Sequence, residues 1–149
     1  MSLIVVTTSQ ISMNGDGGVD GSERQEDPFI FTLVLKPVLT AVKEARDLAA
    51  AVWALWGLGD DYTVRLVVSE LVTNAIRASS PDQVVGVRFR RDDGTPVLEV
   101  WDESPEPVVM KATELTGTDG RGLYIVDRFV HHWEVHPTED GGKVVRVEL

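Results

Sequence analysis

Cysteine is absent from the 149 residues. That excludes disulfides, thiolate metal ligands and thiol nucleophiles, and a cytoplasmic setting is the expectation that fits. Positive charge is scarce: 14 Lys and Arg face 24 Asp and Glu, for a net charge of −10. Such a surface repels a nucleic-acid backbone, so no direct nucleic-acid partner is expected. No apolar run reaches the length of a membrane span, and the start lacks the basic region of a signal peptide, so no membrane role is expected either. Internal repeats and heptads are missing. What remains is 43% hydrophobic and 26% charged residues, an ordinary globular balance with enough apolar material for one core.

The chain opens with a β-prone run, Leu3–Thr8, followed over residues 9–27 by glycines among Asp, Ser and Gln. That composition describes a flexible linker. Residues 1–27 therefore read as an N-terminal tail, and 28–149 as the domain. The first strand either pairs at a sheet edge, in this or another subunit, or belongs to a disordered tail.

Phe29–Leu35 reads as a strand. Residues 38–56 have helical period, stopped by Gly57-Leu58-Gly59, and Asp60 or Asp61 can cap the next helix. Residues 64–77 form that helix, with Val64, Val68, Leu71 and Ala75 as an apolar stripe. Two alternating strands, 84–90 and 97–102, flank a hairpin turn at Asp92-Asp93-Gly94. Residues 104–119 have the composition and length of a functional lid. Residues 121–130 read as a third helix, and 133–137 with 144–149 as a closing hairpin. The order predicts a two-layer α/β sandwich: a mixed sheet with helices on one face.

Several residues in this frame could carry chemistry. Glu70 and Asn74 lie one turn apart on a face that Arg77 joins, which is either a solvated flank or a nucleotide site. Asn74 offers an amide oxygen to Mg²⁺, which takes the rest of its shell from waters and substrate phosphates. Glu70 can accept a proton nearby. Asp102 ends the apolar face shared by Leu98 and Val100, where an acid is costly unless paired. It either caps a turn or accepts the exocyclic amine of adenine. Gly120-Arg121-Gly122 opens a helix, which suits either a plain turn or an approach to phosphate. His131, His132 and His136 lack metal-ligand spacing and read as surface residues. Trp53, Trp56, Trp101 and Trp133 read as packing residues, with Trp101 on the face away from Asp102.

Taken together, these segments resemble the GHKL ATP-binding superfamily, and most closely its anti-sigma-factor serine/threonine kinase branch. Residues 69–76 (SELVTNAI) are similar to that branch's N box, 101–105 (WDESP) to its G1 box, and 120–126 (GRGLYIV) to its G2 box. Ala45-Arg46 with Trp56-Gly57-Leu58 resembles the preceding helix, and the likeness runs from about residue 29 to the end.

The resemblance implies a Bergerat-type fold that binds ATP and Mg²⁺. It makes Glu70 the general base, Asn74 the Mg²⁺ ligand, Arg77 a phosphate contact and Asp102 the adenine ligand. Gly120, Arg121, Gly122 and Leu123 would border the triphosphate under the lid. The implied reaction phosphorylates a serine or threonine of a STAS-domain anti-sigma-factor antagonist. A sigma factor held inactive and a homodimer are further implied partners. Three positions depart from the branch: Ala78 stands for a histidine, Ser104 for a glycine, and Val144 for a threonine that helps hold adenine. A second class stays open, a non-catalytic module that keeps the sandwich and sequesters a regulatory partner.

Overall fold

A computed structural model describes residues 3–8, 29–106 and 126–149. The elements in chain order are β1 (Leu3–Thr8), β2 (Phe29–Leu35), α1 (Ala41–Leu55), α2 (Tyr62–Ala78), β3 (Val85–Asp92), β4 (Thr95–Asp102), β5 (His132–Pro137) and β6 (Lys143–Glu148). Residues 126–129 are also helical. The strands form one six-stranded sheet in the order β1-β2-β3-β4-β6-β5.

The two-layer sandwich expected from the sequence is present, with one correction. Every hydrogen-bonded pair of strands is antiparallel, so the sheet is not mixed in its pairing. The reason is topological. Between β2 and β3 the chain goes out along α1 and back along α2, so it re-enters the sheet reversed. β4 and β5 do run parallel, as a crossover demands, but β6 is inserted between them.

β1 pairs with β2 from Leu3↔Val34 to Thr8↔Phe29. Of the readings open for the first strand, this is the edge position within the same chain. The β3–β4 hairpin closes through Asp93 (φ 49°) and Gly94 (φ 81°). Two positive φ values in a two-residue loop make the type I′ turn, whose twist matches that of the strands.

The helices end as their sequences dictate. Gly57 takes φ 66° after α1. The Leu58 N–H then reaches the Trp53 carbonyl at 3.1 Å, and the Gly57 N–H reaches that of Ala54 at 3.1 Å. This is a Schellman closure, which glycine permits because it has no Cβ. At the start of α2 the cap position is Asp61, but its side chain makes no capping bond. The neighbouring Asp60 carboxylate accepts the Tyr62 N–H at 2.8 Å instead.

Alternation sorts the sheet into two faces. Leu33 and Leu35 of β2, Val85, Val87 and Phe89 of β3, Leu98 and Val100 of β4, and Val145 and Val147 of β6 are buried against the helices. Ala45, Ala49 and Val52 of α1 meet Val64, Val68, Leu71 and Ala75 of α2 in the same core. A fully buried side chain such as Phe89 contributes about 1.5–3 kcal/mol by leaving water.

The opposite face is ionic. Arg90 bonds Glu99 at 2.9 Å and also pairs with Asp92, while Arg146 reaches Asp92 at 3.0 Å and Glu148 at 2.9 Å. For Arg90, burial opposes the charge, but the bond to Glu99 and the charges of Glu99 and Asp92 outweigh it and raise its pKa.

Candidate functional site

α2 supplies the first wall. Its buried residues Val67, Leu71 and Ala75 lie beside the line of Glu70 and Asn74, since positions three or four apart share a helix face. Glu70 and Asn74 are accordingly half-buried, on the shoulder of the packed arc, and Arg77 one turn on is exposed. Sequence reasoning grouped these three residues, and the helix keeps them on one flank.

β4 supplies the second wall. Asp102 shares the core-facing parity of Leu98 and Val100, and it is 4% exposed. α2 packs against this same face, so the Asp102 carboxylate and the α2 shoulder lie on one side of the sheet. The buried charge is answered locally. Lys143 Nζ donates to Asp102 Oδ1 at 2.9 Å, and the Ser104 N–H donates to the same oxygen at 2.9 Å. Lys143 also reaches the Ser104 carbonyl at 3.4 Å. Both ionic side chains are almost fully enclosed. Among the described residues both donors to Asp102 converge on Oδ1.

The strand end is tight as well as charged. Gly142, next to Lys143, approaches so closely that a Cβ there would overlap the Asp102 carbonyl oxygen and stand 2.9 Å from Glu103 Cα. Just before β3, the Val84 N–H donates to Glu103 Oε2 at 2.9 Å. The turn leaving β4 is held by the Glu106 N–H on Ser104 Oγ at 3.2 Å. Ser104, one of the departures from the branch pattern, is thus a buried structural partner of Asp102.

Val144 stands where the branch has a threonine that helps hold adenine. The register pairs it with Trp101, while Lys143 pairs with Asp102. Val144 therefore faces the ionic side of the sheet and cannot line a site that Asp102 faces. Lys143 is the residue that sequence reasoning missed. Counting strand parity from Asp102 across the final hairpin would have found it. Gly120, Arg121, Gly122 and Leu123 lie outside the described residues, as does the 107–119 part of the lid.

The remaining residues behave as bulk packing predicts. Trp53, Trp56 and Trp133 lie against the core. Trp133 Nε1 donates to Asp127 Oδ1 at 3.0 Å, tying β5 to the 126–129 helical stretch. His131, His132 and His136 are exposed, and among the described residues no cluster of His, Cys, Asp or Glu could hold a metal on its own. Magnesium takes much of its shell from waters and substrate phosphates, and the Asn74 side chain could supply one amide oxygen to it. Among the described residues no helix is long and apolar enough to cross a membrane.

The described residues thus form a two-layer α/β sandwich with an acid at the core-facing end of a central strand and a polar shoulder on the covering helix. The family model of the histidine kinase-like ATPase domain matches residues 35–149. The chain belongs to that family, and ATP binding follows from membership. β1 and nearly all of β2 precede the matched span. A comparison with curated proteins gives no match.

Proposed function

We propose that the chain is a regulatory serine/threonine kinase of the anti-sigma-factor type. On this reading it binds Mg-ATP between α2 and the end of β4, and phosphorylates a STAS-domain antagonist. The observation that carries the reading is the Asp102 carboxylate, enclosed at the core-facing end of β4 on the side of the sheet that α2 covers. Family membership supports the nucleotide. The N-box likeness of residues 69–76 supports the kinase class.

The roles follow from side-chain chemistry. Asp102 Oδ2 accepts the exocyclic amine of adenine, a donor at the purine edge. The Asn74 amide oxygen ligates Mg²⁺, which neutralises charge on the phosphates when bound. Arg77 meets a phosphate oxygen. The substrate hydroxyl oxygen forms a bond to the γ-phosphorus, and the bond from that phosphorus to the bridging oxygen breaks. ADP leaves with the electron pair, and the hydroxyl proton goes to Glu70. Positioning and charge stabilisation supply most of the acceleration in such transfers.

The test is transfer of labelled γ-phosphate to a STAS-domain protein. Transfer that requires Glu70 supports the kinase. Nucleotide binding without transfer to any STAS partner supports a sequestering module instead.

A further inference from the structure

We propose that the open face of the sheet is a docking surface for a second copy of this chain. The two faces pack about a twofold axis that runs along the strands, between β4 and β6. The proposal goes beyond the nucleotide reading and does not depend on it.

The register builds this surface row by row, because cross-strand partners on one face line up across a sheet. One row runs Val34, Gly86, Trp101, Val144, His136 through β2, β3, β4, β6 and β5. The next runs Thr32, Arg88, Glu99, Arg146, Glu134 through the same strands. None of these side chains joins the core that the helices cover. The first row is apolar at its centre, where the Trp101 ring lies over Gly86. The second alternates in sign from β3 to β5. Its outer members, Arg88 and Glu134, have side chains 43% and 38% exposed, so both can meet a partner.

The alternation selects one way for two copies to meet. In a twofold interface, if residue i of one copy meets j of the other, j also meets i. With the axis along the strands between β4 and β6, β3 faces β5 of the second copy and β4 faces its β6. Arg88 then meets Glu134, and Glu99 meets Arg146, each pair occurring twice. Trp101 meets Val144 in the same alignment, an aromatic against an aliphatic. In the following row Arg90 meets His132 and Val97 meets Glu148, so the charged contacts are concentrated in the second row. Other axes fail on charge. An axis on β4 sets Glu99 on Glu99, and one on β6 sets Arg146 on Arg146. An axis across the strands, along the charged row, sets all four charges on themselves. An axis between β3 and β4 leaves Glu134 without an opposite charge. Like charges face to face are strongly disfavoured, and this repulsion fixes the alignment. Two copies of one twisted sheet related by an axis along the strands turn in step, so the rows stay matched when the faces stack.

The experiment is sedimentation equilibrium of the full chain, with charge reversals at two positions that do not touch within one copy. Arg88 and Glu134 lie three strand spacings apart, about 14 Å. The wild type is expected to show a monomer–dimer equilibrium whose dissociation constant rises with salt. Arg88→Glu and Glu134→Arg each set like charges across the interface twice, and each is expected to raise that constant by roughly 10- to 100-fold. The double variant restores opposite charges between copies but not within one. It is expected to return to within about threefold of the wild type, while the effects of the two reversals on thermal unfolding of the monomer simply add. Dilution of the wild type followed by amide NMR needs no variant, and covers the case in which a reversal does not fold. Its shifts are expected on the two rows of β3, β4, β6 and β5, with α1 and α2 unmoved. A chain that is monomeric at every concentration, a double variant that associates no better than either single one, or dilution shifts confined to the helices or to β1 overturns the proposal. None of these outcomes bears on the binding of Mg-ATP.

Discussion

Trp101 lies over Gly86 on the open face of the sheet, and the indole ring fills the space a side chain at 86 would take. The two residues are direct cross-strand partners, and a Cβ at 86 would overlap the six-membered ring of Trp101. The Arg88 guanidinium sits 5.5 Å from the ring centroid, close enough for a cation–π contact. Gly86→Ala must therefore push the ring off the sheet. We expect a loss of about 1–3 kcal/mol in unfolding free energy and a red-shifted tryptophan emission. An unchanged spectrum with unchanged stability would show that the ring does not lie there.

A second glycine prediction concerns the site itself. At Gly142 the obstructing atoms are backbone, the Asp102 carbonyl oxygen and Glu103 Cα. Backbone cannot swing aside as an indole can. Gly142→Ala is expected to cost at least as much as Gly86→Ala, about 1–3 kcal/mol or more, and to weaken nucleotide binding because the strand end that carries Asp102 moves. Denaturant unfolding and a nucleotide titration on the same preparation check both parts.

The ionic face makes a pH prediction. The Glu134 carboxylate is held below its ordinary value of 4.5 by the hydrogen bond from His136, with the charges of His136, Arg146 and His132 adding to it and burial acting the other way. A carboxylate whose folded pKa is depressed stabilises the fold above its unfolded pKa, and that stabilisation is lost as the pH falls through the folded value. The thermal midpoint of the wild type should exceed that of Glu134→Gln at about pH 5.5, and the two should converge as the pH is taken well below 4.5. Because the pair is half-exposed, salt should shrink the difference. A gap that widens on acidification would contradict the assignment.

Glu70 makes the catalytic prediction. Glu70→Gln keeps the size of the side chain and removes the acceptor for the hydroxyl proton. Phosphate transfer is expected to fall by roughly 10²–10⁴-fold, with the affinity for Mg-ATP little changed. Asn74→Ala should instead weaken only the magnesium-dependent part of binding. Normal transfer by Glu70→Gln would remove it as the base.

These residues also show how much could be read before the structure. The apolar stripe of α2, its flank of Glu70, Asn74 and Arg77, and the core-facing parity of Asp102 all follow from local period, and each is found as expected. The turn at Asp93-Gly94 was legible because only certain residues accept two positive φ values. Non-local facts were not legible. The strand order, the antiparallel pairing and the insertion of β6 between β4 and β5 depend on which edges meet in space. Leu3–Thr8 could not be paired with β2 by inspection, because residues 9–28 intervene. Lys143 was missed because the adjacent Val144 was matched by motif position, and motif position ignores which face of a strand a residue occupies.

The most direct measurement is the amide NMR spectrum of the wild-type chain titrated with Mg-ATP. The account predicts saturable shifts at residues 70–77 on α2 and at Asp102, Ser104 and Lys143 at the strand end, with the ionic face around Arg90 and Glu134 undisturbed. Saturable shifts confined to the ionic face, or no shifts at millimolar Mg-ATP, would contradict it.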